Sequence, residues 1–96
     1  MDQVRLKDTE EAILSSREPR LLIVNDSPVQ LEALQRMLAK QGYEVRKQGN
    51  AILGWEVLRT WLPDLVISDV VMPGMGGVEF CRKIKTDPAT SHIPVL

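Results

Sequence analysis

The chain has 96 residues, with 12 Lys and Arg against 13 Asp and Glu, for a net charge of −1. That length holds one domain, and the charge balance excludes a protein that grips nucleic acid directly through a broad basic surface. The 44% hydrophobic share excludes wholesale disorder, no apolar run nears the roughly 20 residues of a membrane helix, and a lone cysteine makes no internal disulfide. Residues 1–17 mix charges throughout and lack the apolar stretch of a secretory signal, so the expected location is the cytoplasm. A chain this short buries only about 60–65% of its unfolded surface, so stability depends on a complete core.

Residues 1–19 read as an N-terminal extension. Asp8 and Glu11 fit a capping box, and Ala12, Ile13 and Leu14 give an apolar side, which suggests a short helix over residues 9–16. An irregular leader is the alternative, and Pro19 ends either one. Leu21-Leu22-Ile23-Val24 is a continuous apolar run, the pattern of a strand buried on both faces. Asn25-Asp26-Ser27-Pro28 follows, with Ser27 as N-cap, Pro28 at the first helical position and Gln30 completing a capping box. Leu31, Leu34 and Leu38 then share a helical face, Met37 is expected to pack, and Gly42 closes the helix.

Residues 43–47 alternate like a short edge strand. Asn50 caps a second helix whose Ala51, Trp55, Leu58 and Leu62 share a face, and Pro63 stops it. Residues 65–69 form a second buried strand that ends in Asp69. A Gly- and Pro-rich loop leads to a third helix over residues 77–86, with Val78, Cys81 and Ile84 on its apolar side and Arg82, Lys83 and Lys85 on a solvated one. Trp55 and Trp61 suit the core, or an interface if both stand on an exposed face. His92 reads as a solvated loop residue. Residues 93–96 begin a fourth strand. Strands alternating with helices of about ten residues imply right-handed crossovers and a parallel sheet.

In such a sheet, ligands bind beyond the carboxyl ends of the strands. Asp26 and Asp69 both stand there. Two carboxylates at one rim repel each other unless a cation lies between them, and Mg²⁺ takes oxygen ligands of this kind. A carboxylate beside Mg²⁺ is also a nucleophile toward phosphorus. The plainer reading of Asp26 is a cap for the following helix. Asp69 is followed by a loop instead of a helix start, so that reading suits it less well.

Three segments carry a family resemblance: LLIVNDS at residues 21–27, DLVISDVVMPGMGG at residues 64–77, and IPVL at residues 93–96. Together with their spacing, they resemble the receiver domain of bacterial two-component response regulators over residues 20–96. The resemblance implies an α/β, flavodoxin-like parallel sheet of order 2-1-3-4, incomplete as β-α-β-α-β-α-β. It implies Asp69 as phosphoacceptor, Asp26 as direct Mg²⁺ ligand, the Val71 backbone carbonyl as a further ligand, and Asn25 linked to the metal through water. Pro73 and Gly77 would shape the loop. The implied role is regulatory, not enzymatic, with a sensor histidine kinase as partner.

The chain departs from the family pattern in three ways. Asn25 stands where the family is acidic, Gly76 where it has Asp, and residues 20–96 correspond to a truncated receiver without the family's later hydroxyl and lysine. Those departures support a second reading, a phosphorylation-independent interaction or dimerisation module. A bared sheet edge also leads us to expect a homo-oligomer. A phosphohydrolase of the haloacid dehalogenase class is disfavoured, because that class needs Asp where Val71 stands.

Overall fold

A computed structural model of the chain describes residues 18–96. The helix expected over residues 9–16 lies outside the described residues. Six elements follow in order: β1 (Arg20–Val24), α1 (Pro28–Lys40), β2 (Glu44–Gln48), α2 (Ala51–Trp61), β3 (Leu65–Ser68) and α3 (Gly77–Thr86). The strands are parallel in the order β2-β1-β3, with Leu22 opposite Arg46 on one side and Val66 on the other.

β1 is the centre of the molecule. Successive side chains of a strand point to opposite faces. Leu22 and Val24 therefore join the core formed with Ala51, Leu58, Phe80 and Ile84 of α2 and α3. Leu21 and Ile23 face the other way and are also buried, on the side covered by α1 and its buried Leu31. β2 lies at the edge and alternates charged with half-buried residues, which discourages pairing with another chain.

The caps follow the local sequence. Ser27 Oγ accepts the Gln30 N–H at 3.3 Å, with Pro28 opening α1. Gly42 takes φ +93° after α1, a conformation open to glycine at no steric cost. Asn50 Oδ1 accepts the Leu53 N–H at 2.9 Å and starts α2. Thr90, buried, donates through Oγ1 to the Ile84 carbonyl at 2.7 Å and helps close α3.

Four sequence expectations are corrected. Leu62 does not share the buried face of α2: it is the C-cap, left-handed at φ 51° and 44% exposed, while Trp61 is buried in its place. Pro63 restricts the residue before it, so the helix ends one residue early. The buried stripe of α3 is Gly77, Phe80 and Ile84; Val78 is 62% exposed and Cys81 half-buried, because α3 presents Phe80 to α2. Met37 points outward from α1, 55% exposed. Residues 93–96 make one parallel bridge, Val95 to Val66, instead of a strand. The bridge lies on the far side of β3, the fourth place of the expected order. Val66 N–H donates to the Pro94 carbonyl at 3.0 Å, and Leu96 N–H to the Val66 carbonyl at 2.8 Å. Lys85 Nζ braces this segment, donating to the Ile93 carbonyl at 2.6 Å.

Gly54 marks the tightest packing of α2 on β1. A β-carbon there would lie 2.8 Å from Val24 Cγ2 and 3.3 Å from Phe80 Cζ. Alanine improves helix propensity by about 1 kcal/mol, but overpacking typically costs about 1–3 kcal/mol. Gly54→Ala is expected to lower stability by about 1–2 kcal/mol in urea unfolding. On the opposite face, Lys47 Nζ lies 2.6 Å from Glu32 Oε2, and Arg36 Nη2 lies 3.1 Å from Oε1. The Lys47 hydrogen bond, then that of Arg36, holds the Glu32 carboxyl below its usual 4.5. A depressed carboxyl pKa stabilises the fold above the unfolded value, and that contribution is lost as pH falls through the folded one. Carbon-detected NMR titration is expected to show Glu32 moving back up toward 4.5 in Lys47→Met.

Candidate functional site

β1 and β3 run side by side and end together, with Val24 opposite Ser68. The chain leaves β1 toward β2 and returns across it to β3, so α1 and α2 cover opposite faces. The crevice between the ends of β1 and β3 is therefore the topological switch point of the sheet. Asp69 is the first residue past β3 and Asp26 the second past β1. The Asp69 N–H donates to the Val24 carbonyl at 2.9 Å, and the Asn25 N–H to the Gln48 carbonyl at 3.2 Å. Backbone pairing thus continues one step beyond the strands and brings the expected residues to a common rim.

Asp69 is half-buried. Its Oδ1 accepts the Val70 N–H at 2.9 Å, which fixes the carboxylate and leaves Oδ2 without a protein partner among the described residues. Asp26 is exposed, with its carboxylate likewise unpartnered among the described residues. The helix cap is Ser27, so Asp26 is not used for capping. The Val71 carbonyl accepts no backbone hydrogen bond among the described residues.

Asn25 is the departure with a structural consequence. Its Oδ1 accepts the Ser27 N–H at 2.8 Å, and its Nδ2 donates to Gln30 Oε1 at 2.8 Å. The amide therefore belongs to the start of α1. One lone pair of Oδ1 is left for water. Gln30, read from sequence as a capping-box partner of Ser27, instead turns its side chain to Asn25. The signal that could have shown this is the Asn-x-Ser spacing of a local side-chain turn.

The donor set is two carboxylates and a free carbonyl. These are hard oxygen donors suited to Mg²⁺, which needs few protein ligands and keeps several waters. Among the described residues, no three His, Cys, Asp or Glu side chains cluster as a metal site. A softer or more fully protein-coordinated metal has no comparable donor set there.

The loop after Asp69 is held at both ends. Buried Met72 pins it to the core, and Gly74 takes φ +77° at its tip. The Gly77 N–H donates to the Val70 carbonyl at 2.9 Å and closes it. A β-carbon at Gly77 would collide with the Asp69 carbonyl oxygen and lie 2.8 Å from Val70 Cα. The start of α3 can therefore approach Asp69 only because residue 77 has no side chain. An apolar cavity of about 390 Å³ opens beside Asp69, with Val78, Cys81 and Arg82 in its wall.

The chain as a whole is similar to known proteins. The response regulator receiver domain family matches residues 21–96. The protein PilH of Pseudomonas aeruginosa is 43% identical over 77 residues, covering 80% of this chain and 64% of PilH. The response regulator PleD of Caulobacter vibrioides is 39% identical over 77 residues, or 17% of its own length. The chain thus spans less than two thirds of either relative. Among solved structures, the N-terminal domain of a response regulator receiver protein from Methanoculleus marisnigri superposes with a TM-score of 0.77 at 39% identity. That match covers 79% of this chain and 62% of the other. The chemotaxis protein CheY4 of Vibrio cholerae superposes with a TM-score of 0.79 at 26% identity, over 82% of this chain and 66% of its own.

Gly77→Ala is expected to push α3 away from the Asp69 backbone. Overpacking against backbone belongs at the upper end of the usual range, about 3 kcal/mol. Urea unfolding should register that loss, and NMR should show the Asp69 and Val70 amides shifting most.

Proposed function

Because the chain belongs to the response regulator receiver domain family, a regulatory signalling domain, we propose that Asp69 accepts a phosphoryl group from a sensor histidine kinase. The observation that carries this reading is the state of the Asp69 carboxylate. One oxygen is held by the Val70 N–H and the other has no protein partner among the described residues. Asp69 Oδ2 forms the bond to phosphorus as the phosphorus–nitrogen bond of a phosphohistidine breaks. The imidazole departs with the electron pair and takes a proton from solvent.

Asp26, Asp69 and the Val71 carbonyl would hold Mg²⁺, with Asn25 contributing through water. Bound there, the cation would offset the charge gathered by two carboxylates and the incoming phosphoryl oxygens. The residues themselves do the positioning. The Val70 N–H orients the nucleophile, and Gly77 lets α3 close behind it. A second copy of the chain is the proposed partner for the exposed sheet edge or face, on the far side of β3 where Val95 makes a single bridge to Val66. No helix among the described residues is long and apolar enough to cross a membrane; the cytoplasm is the proposed setting.

The observation favouring the alternative, a phosphorylation-independent module, is Asn25. Its amide is neutral and committed to Ser27 and Gln30. Intact mass after incubation with acetyl phosphate and Mg²⁺ separates the two readings. Phosphoacceptor chemistry is expected to add one phosphoryl group, abolished in Asp69→Asn and by chelation, and slowed at least tenfold in Asp26→Asn. A folded chain that gains no mass would overturn it in favour of the second reading.

A further inference from the structure

The far end of α3 carries a feature that the phosphoacceptor chemistry does not use. Trp55 of α2 is half-buried, and two cations stand over its ring. Arg59, one turn later in α2, has its guanidinium carbon 5.8 Å from the ring centroid, and Lys83 of α3 has its Nζ at 5.1 Å. The three residues line a shallow, open cleft of about 480 Å³ between α2 and α3, with Thr86, Asp87 and Pro88 completing its wall. Lys83 stands six residues after Gly77 in α3, roughly 9 Å along the helix from the Asp69 end.

Both cations have a carboxylate at helical pairing distance. Glu56 precedes Arg59 by three residues and Glu79 precedes Lys83 by four, the spacings at which helical ion pairs form. Neither pair forms an ion pair among the described residues. The acid inside the cleft, Asp87, turns Oδ1 to the Ala89 N–H at 2.9 Å. The cleft therefore offers two cations over one aromatic ring, neither of them in an ion pair among the described residues. Ile52, 58% exposed one turn before Trp55, extends the same face with an apolar contact. Trp and Arg are the residue types that dominate binding energy at protein interfaces. Two cations are too few to follow a nucleic-acid backbone, where binding grows with the number of phosphates neutralised.

We propose that the Trp55–Arg59–Lys83 cleft is a docking site for an acidic segment of a protein partner, separate from the phosphoacceptor site. Carboxylates of the segment pair with Arg59 and Lys83, and an apolar side chain rests against Trp55 and Ile52. The test is a ¹⁵N NMR titration of the full chain with a ten-residue peptide of alternating Glu and Leu. The expected result is a saturable shift of the Trp55 indole N–H, assigned with Trp55→Phe. Its affinity should fall at least tenfold in the Arg59→Glu/Lys83→Glu double variant and stay unchanged in Asp69→Asn. Both exchanged side chains are exposed, and the dispersion of the spectrum verifies that the double variant is folded. A matching Lys-Leu peptide should produce no shift. Absence of a saturable shift, an equal shift in the double variant, or tighter binding of a ten-nucleotide single-stranded oligonucleotide would each overturn the proposal. Because the readout involves no phosphorylation, its failure is distinguishable from failure at Asp69.

Discussion

Everything in this domain depends on β1 being buried on both faces. Leu22 and Val24 sit within the α2–α3 core, and Leu21 and Ile23 under α1, each with at most 4% of its surface exposed. At about 1.5–3 kcal/mol per fully buried aliphatic side chain, those four residues account for a large part of the hydrophobic stabilisation. Two-sided burial requires helices on both faces. That is met when the chain crosses over one face to β2 and over the other to β3. The same reversal opens the crevice beyond the ends of β1 and β3, the strands that Asp26 and Asp69 follow.

The site is thus a by-product of sheet topology, refined by backbone contacts. Asp69 is held by the Val24 carbonyl through its N–H and by the Val70 N–H through its side chain. Gly77 lets the α3 backbone settle against it. Electrostatics here is sparing. Placing an amide at position 25 removes one negative charge from a rim that already carries two carboxylates, and like charges at short range oppose one another's ionisation. The amide also secures the first turn of α1. One residue therefore couples the charge of the site to the placement of a helix.

The two tryptophans show how one chemical motif takes different roles by depth. Trp61 is buried at the amino end of the sheet, beneath Arg46 at 4.5 Å and Arg20 at 5.6 Å. There Arg20 also donates to the Trp61 carbonyl and, through its N–H, to Asp64. That cluster locks β1 to the end of α2, although Arg20 Nε itself has no hydrogen-bond partner among the described residues and lies 3.8 Å from Glu44 Oε2. Trp55 carries a similar pair of cations but opens to solvent, and its cations lack such anchors. The same stacking is buried at Trp61 and half-buried at Trp55, six residues earlier on the same helix.

Much of this was legible in the residues alone. The continuous apolar run of residues 21–24, the caps at Ser27 and Asn50, the glycine at 42 and the acids after two strands are local signals. Each works through neighbouring backbone, so the parallel α/β architecture and the two carboxylates could be read without coordinates. What the sequence left open was direction and partnership. Helical periodicity groups Val78 with Cys81 and Ile84, yet Gly77, Phe80 and Ile84 are the buried stripe, because the backbone contact at Gly77 rotates α3. Leu62 continues an apolar pattern but leaves the helix before Pro63. Asn25 pairs with Gln30, and Lys85 with the Ile93 carbonyl. Those outcomes depend on which surfaces reach each other once the chain is packed, and local propensity does not encode that distance.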